Sequence, residues 1–241
     1  IDAIAREKAG ILRPNGVLVT LPQHPETNQA LGEVATGLGV RGVNAAEYMP
    51  AFHSSPDANT WGAAYPAMIQ GKEIKLTPAL AGSHQHRNMA LAVAAASELC
   101  NNYSYNISAE NIAEGIRTAR WPGRLELFPR TASRCAVLLD VAHNPAGTWS
   151  LRSALNHYAA AGPRTLLFGC LRDKAFQEMA QILFPVFDRV VLTPVYSPRT
   201  AAVEDLMAIA ETLGITALAA SSPLTGFDEA VQQTPCDGLL V

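Results

Sequence analysis

Apolar and polar positions are arranged differently in the two halves of this chain, and the change falls near residue 120. Residues 1–9 have helical spacing, and Gly10 is suited to end that helix. Residues 17–20 read as a strand, 27–38 as a helix, and 65–76 as two short strands turned at Gly71-Lys72. Residues 84–100 are rich in Ala, Leu and Met with apolar side chains on nearly every face, so a buried helix is expected. Ser108 suits the N-cap of a further helix carrying Ile112 and Ile116. That helix should stop before Trp121-Pro122-Gly123, because proline disfavours helical geometry in the residue before it.

From Leu125 onward short apolar runs alternate with helical spacing. Strands are predicted at 135–139, 164–168, 189–192, 216–219 and 238–241, and helices at 145–160, 175–183, 203–213 and 227–233. Strands alternating with helices of this length imply right-handed crossovers and a mainly parallel sheet with helices on both faces. The expected architecture is therefore α/β, with a first domain at 1–120, a hinge at 121–124 and a Rossmann-like domain at 125–241. Residues 49–61, rich in Pro, Ser, Asp and Asn, read as an exposed loop. Ile1 opens within the tail of a helix and residues 238–241 stop inside a strand, so an internal fragment is expected.

Composition narrows the partners. A net charge of −3 over 241 residues, with no basic run interleaved with aromatics, argues against nucleic acid. The most apolar helix, 89–100, is interrupted by Ser97 and Glu98 and falls well short of the roughly 20 residues of a membrane span. Cys100, Cys135, Cys170 and Cys236 form no Cys-x-x-Cys pair and sit in or beside apolar runs, so they read as small buried hydrophobes of a reducing compartment. A cytoplasmic monomer acting on small molecules is the expectation.

The chemistry concentrates where strand 135–139 gives way to the next helix. Asp140, His143 and Asn144 follow the strand, Asn144 suits the N-cap and Pro145 the first helical position. The carboxyl end of a strand beside a helix N-terminus is where open α/β sheets bind anions, so this is a candidate nucleotide site. The same residues are also compatible with ordinary turn chemistry. Upstream, Arg124 in Trp121-Pro122-Gly123-Arg124-Leu125-Glu126 stands between the domains with a guanidinium suited to phosphate oxygens. Lys8 in Glu7-Lys8-Ala9-Gly10 also fits a last helical turn that meets the macrodipole. His84 and His86, two apart on a helix, do not share a face and make no metal pair.

Taken in order, Glu7-Lys8-Ala9-Gly10, His84-Gln85-x-x-Asn88, Pro122-Gly123-Arg124-Leu125, Asp140-x-Ala142-His143-Asn144-Pro145, Asp173-Lys174 and Ser197-Pro198-Arg199 resemble the folylpolyglutamate synthase and dihydrofolate synthase family of the Mur ligase superfamily. The resemblance implies the remnant of a P-loop-type central domain followed by a Rossmann-like Mur ligase C-terminal domain. It implies an ATP-dependent, magnesium-requiring ligase that activates a carboxylate as an acyl phosphate and lets the amino group of L-glutamate attack it, with dihydropteroate or folyl (poly)glutamate as acceptor. Lys8 then matches a lysine carried as a carbamate that helps hold magnesium. Asn88 matches an adenine-side asparagine, Arg124 a contact to ATP phosphates and Asp140 a nucleotide contact across the domain gap.

By the same resemblance His143 and Asn144 line that cleft, although an N-cap role would also explain Asn144. Lys174 and Arg199, by charge and position, are contacts for glutamate carboxylates or the acyl phosphate. The chain departs from the family in having no Gly-x-x-x-x-Gly-Lys-[Ser/Thr] loop; Gly71-Lys72 has no glycine-rich segment before it. A Mur-type ligase acting on a cell-wall precursor or polyamide, and a non-catalytic nucleotide-binding module, are the other readings.

Overall fold

The computed structural model describes residues 1–50, 63–156, 158 and 161–241. They fall into two compact units, 1–79 with 83–119, and 80–82 with 120–241. The segment 121–124, read as a hinge, lies inside the second unit. Most of the loop read at 49–61 lies outside the described residues.

In the first unit α1 (Asp2–Ala9) packs on α2 (Pro25–Gly37), and both bury only alanines at their contact faces, Ala5 and Ala9 against Ala30 and Ala35. Gly10 is not in the left-handed conformation expected of a C-terminal glycine. Its φ is −58°, and its N–H reaches the carbonyl of Glu7 at 3.1 Å, so the helix tightens into a last turn whose bonds span three residues rather than four. Strand β1 (Val17–Thr20) pairs in parallel with β2 (Arg41–Asn44), which the pattern missed because Arg-Gly-Val-Asn holds a single apolar residue.

The hairpin β3 (Tyr65–Ile69) and β4 (Lys72–Leu76) pairs Ile69 with Lys72. Its two-residue turn is therefore Gln70-Gly71, one position earlier than read. Both residues have positive φ, +52° and +77°, the twist that suits a tight hairpin. Helix α3 (Ser83–Tyr103) buries Ala90, Val93 and Ala94 against Ile69, Leu76 and Ile112 of α4 (Ala109–Thr118). It is not apolar all round: Arg87, Asn88 and Leu99 face out, and its buried Glu98 pairs with Arg41 and accepts from Asn102.

Ser108 caps α4 as read, in a reciprocal capping box with Asn111. Next to it, Lys72 donates to Glu110 at 3.0 Å. That bond, followed by bonds from the residue's own backbone N–H and from Ser108, brings the Glu110 carboxyl down to about 2. Because the folded value lies below the ordinary one of 4.5, the contribution of this carboxylate is complete above that pH and is lost as pH falls toward about 2. An NMR titration should place the Glu110 midpoint near that value, and Lys72→Ala should move it up toward 4.5.

The second unit is one six-stranded sheet in the order β5-β6-β10-β7-β8-β9. Strands β6 (Ala136–Leu139), β7 (Arg164–Phe168), β8 (Arg189–Leu192), β9 (Ala217–Ala219) and β10 (Leu239–Leu240) run parallel. Strand β5 (Glu126–Phe128) runs antiparallel beside β6; it was not read from sequence, being three residues long. Helices α5 (Pro145–Asn156), α6 (Phe176–Leu183) and α7 (Val203–Thr212) connect strands progressing in one direction and pack on one another.

The step from β9 back to β10 reverses direction, so the right-handed rule puts α8 (Pro223–Gln233) on the opposite face, where it lies over β7 and β8. Helix α8 starts four residues before the predicted 227, at Pro223, because Ser222 and Thr225 form a capping box.

Fully buried Leu138, Val191, Leu192, Leu239, Leu240 and Phe184 fill the core, with Phe184 edge-on to Phe168 at 5.5 Å. Cys135 and Cys170 are buried as expected. Cys100 is only half-buried, and Cys236 is exposed because it sits in the turn closed by Gly238 N–H to Pro235 carbonyl. Among the described residues no helix is long and apolar enough to cross a membrane.

Candidate functional site

Strand β6 delivers Asp140 to the carboxyl edge of the sheet, where the chain must turn into α5. Asp140 makes that turn itself: its Oδ1 accepts the N–H of Ala142 at 2.8 Å. Its Oδ2 reaches back fifteen residues to accept the N–H of Leu125 at 3.0 Å. The Val141 N–H donates to the Gly123 carbonyl at 2.8 Å. The Pro-Gly-Arg-Leu segment and the strand-to-helix corner are therefore bonded into one piece.

Arg124 stands at the centre of that piece between two residues of positive φ, Gly123 at +71° and Leu125 at +47°. A side chain at position 123 would place its Cβ 2.9 Å from Val141 Cγ1, so glycine is required both by conformation and by space. Arg124 is half-buried, and its guanidinium makes no hydrogen bond or ion pair with any described residue.

Beyond the corner, Asn144 Oδ1 accepts the N–H of Gly147 at 2.8 Å and caps α5. This fixes the amide orientation and turns Asn144 Nδ2, a donor, toward His143 Nε2 at 3.4 Å. In the neutral imidazole Nε2 is then the acceptor and Nδ1 carries the proton, which it gives to the Val141 carbonyl at 3.1 Å. Both His143 and Asn144 are exposed. In the first turn of α5, Pro145 has no N–H, and those of Gly147 and Thr148 are taken by the Asn144 side chain and carbonyl, so the Ala146 N–H is left at this edge.

The loops after β7 and β8 bring Lys174 and Arg199 to this edge. Leu171 bridges Thr200, the Arg172 N–H donates to the Arg199 carbonyl at 2.8 Å, and Arg199 Nη1 lies 3.2 Å from Asp173 Oδ2. The two strands approach so closely here that a Cβ on Gly169 would sit 2.6 Å from the Thr193 carbonyl oxygen. Cys170, next in sequence, is no nucleophile: burial pushes its thiol up to about 11.

A cavity of about 310 Å3 at the ends of β6, β10 and β7 is lined by Gly123, Asp140, Ala142, Phe168 and Gly169 among others. A larger hollow of about 730 Å3 adjoins it between β5–β6 and α8, over an apolar floor of Phe128, Val137, Leu139, Phe227 and Val231. The smaller one is lined by Asp140 and the Gly123 turn, at the carboxyl edge of the sheet where open α/β sheets bind ligands, whereas the larger one is edged by Thr131, Arg134, Asp228 and Gln232.

Lys8 and Asn88 belong to the first unit. Asn88 is exposed in the first turns of α3, and its Nδ2 donates to the buried Gln85 at 2.9 Å. Lys8 is exposed in the last turn of α1, 3.7 Å from Glu7. Among the described residues no group of three or more His, Cys, Asp and Glu side chains converges to hold a metal ion. Sequence reasoning missed Gly169, which carries no local signal, and Glu126, whose spacing three residues after Gly123 was the available hint.

Comparison with known proteins agrees with this architecture. Residues 123–239 match the Mur ligase, glutamate ligase domain. The folylpolyglutamate synthase of Lacticaseibacillus casei is 33% identical over 198 residues, which are 81% of this chain and 44% of that protein. The Mycobacterium tuberculosis folylpolyglutamate synthase complexed with ADP aligns with a TM-score of 0.82 at 26% identity, covering 100% of this chain and 56% of that one. A bifunctional folylpolyglutamate synthase/dihydrofolate synthase with Mn, AMPPNP and L-glutamate bound gives 0.72 at 25% identity, covering 99% and 53%. The chain thus spans about half the length of the relatives it matches. It belongs to the folylpolyglutamate synthase and dihydrofolate synthase family, with a Mur ligase C-terminal domain built on a mainly parallel Rossmann-like sheet.

Proposed function

We propose that this chain works as part of an ATP-dependent amide ligase that joins L-glutamate to dihydropteroate, to folyl (poly)glutamate, or to both. The observation that carries this reading is the Arg124 guanidinium, unpaired among the described residues and held on a turn bonded to the Asp140 corner beside the N-terminus of α5. A fixed cation beside the positive end of a helix suits the oxygens of a phosphate in transfer.

In the first step a carboxylate oxygen of the acceptor bonds to the γ-phosphorus of ATP and the bond to the bridging oxygen breaks, releasing ADP. In the second, the glutamate amino nitrogen attacks the acyl carbon, phosphate leaves with the bonding electrons, and the nitrogen gives up a proton. Phosphoryl transfer depends on positioning and charge neutralisation, which is the role of Arg124. His143 Nε2, set as an acceptor by its own hydrogen bonds, takes the amine proton.

Lys174 and Arg199, on their joined loops, meet the glutamate carboxylates. Asn88 serves the adenine edge. A divalent cation such as magnesium neutralises triphosphate charge when bound. The described residues do not by themselves form its site, and Lys8 would join one only as a carbamate.

The test is ADP release by the full-length protein given ATP and either dihydropteroate or tetrahydrofolate, with and without L-glutamate. Release that requires both glutamate and a pteridine acceptor is expected. Release indifferent to glutamate, or obtained only with a cell-wall precursor, would overturn the reading.

A further inference from the structure

Glu126 has no part in the chemistry just described, yet it bears directly on Arg124. Its backbone is fixed at the start of β5 by pairing with Leu139. Its side chain curls back three residues, and Oε2 accepts the N–H of Gly123 at 2.9 Å. Asp140 holds the N–H of Leu125, on the other side of Arg124. Glu126 and Asp140 thus bond backbone amides on either side of Arg124.

That arrangement has two consequences. A left-handed residue such as Leu125 persists only where its surroundings hold it, and here the holding groups are the two carboxylates and the Val141–Gly123 bond. Neither carboxylate forms an ion pair with the Arg124 guanidinium among the described residues. Among the described residues, the charge of Arg124 therefore has no ion-pair partner.

We propose that Glu126 is a positioning residue, which sets the Gly123–Leu125 turn so that the Arg124 guanidinium meets the phosphates of the nucleotide. This rests on the functional reading above. The group required is an acceptor at the end of a side chain of this length. Gln keeps that acceptor, Ala removes it, and Asp keeps the charge but stops one methylene short.

The experiment uses the full-length protein and its Glu126→Gln, Glu126→Ala and Glu126→Asp variants. KM for ATP, kcat and the hydrogen exchange of the Gly123 amide are measured on each. E126A is expected to raise KM for ATP about tenfold with kcat within a few-fold, and to speed Gly123 exchange by about tenfold. E126D should follow E126A, and carries the test if E126A does not fold. E126Q should stay within about twofold of the parent in all three.

Unchanged KM and unchanged Gly123 exchange in E126A and E126D would overturn the proposal. So would an E126Q as impaired as E126A, since the charge and not the acceptor would then matter. If the parent protein shows no glutamate-dependent ADP release, the functional reading falls, while Gly123 exchange still decides whether the clamp operates.

Discussion

Replacing Arg124 by alanine in the full-length protein is expected to lower glutamate-dependent ADP release by about 10²–10³-fold, the cost of removing one preorganised group that stabilises transition-state charge. The thermal midpoint should not move. The guanidinium bonds no described residue, and the turn that carries it is held through backbone groups of Gly123 and Leu125, which the substitution leaves in place. Arg124→Lys should recover only part of the loss, because an ammonium supplies the charge without the planar fork that meets two oxygens. Steady-state rates beside a melting curve check both halves of the expectation. An R124A protein that melts early would mean that the guanidinium has a structural partner and is not reserved for a ligand.

Asp140→Ala is expected to behave differently, damaging stability and activity together. The carboxylate accepts two backbone N–H groups, one local from Ala142 and one from Leu125 across the sheet edge. Both lose their acceptor at a half-buried position. Charge-assisted bonds of this kind contribute about 1.5–3 kcal/mol each, and partial access of water to the freed amides brings the total to about 2–4 kcal/mol.

Asp140→Asn should lie between, since its carbonyl can serve one amide while its NH2 group faces the other. Urea unfolding gives the stability arm, and ADP release by the full-length protein gives the other. A D140A protein with parental stability would contradict the bonding scheme at the corner.

Much of the second unit could be read from the chain because its strands are buried. Residues 166–168 and 190–192 are unbroken apolar runs, each led in by an arginine-containing start, and the strands read at 164–168 and 189–192 are observed with those same bounds. What failed was governed by neighbours. Strand β5 exists because β6 offers it an edge, and β2 because β1 does. The start of α8 was missed because Ser222 and Thr225 act through reciprocal hydrogen bonds that apolar periodicity does not register.

The site divides in the same way. Asn144 as an N-cap was legible, since capping is local. The reach of Asp140 to Leu125, the latch of Arg199 to Asp173 and the contact at Gly169 depend on which strands lie side by side, which the topology decides.

The central claim is that Arg124 addresses phosphate. Calorimetric titration of the full-length protein and its R124A variant, each with a non-hydrolysable ATP analogue and with adenosine, tests it most directly. The expected result is a weakening of the analogue by about tenfold or more in R124A with adenosine affinity unchanged, as befits a charge-assisted contact to the phosphate chain. Equal weakening of both ligands, or none of either, would contradict it.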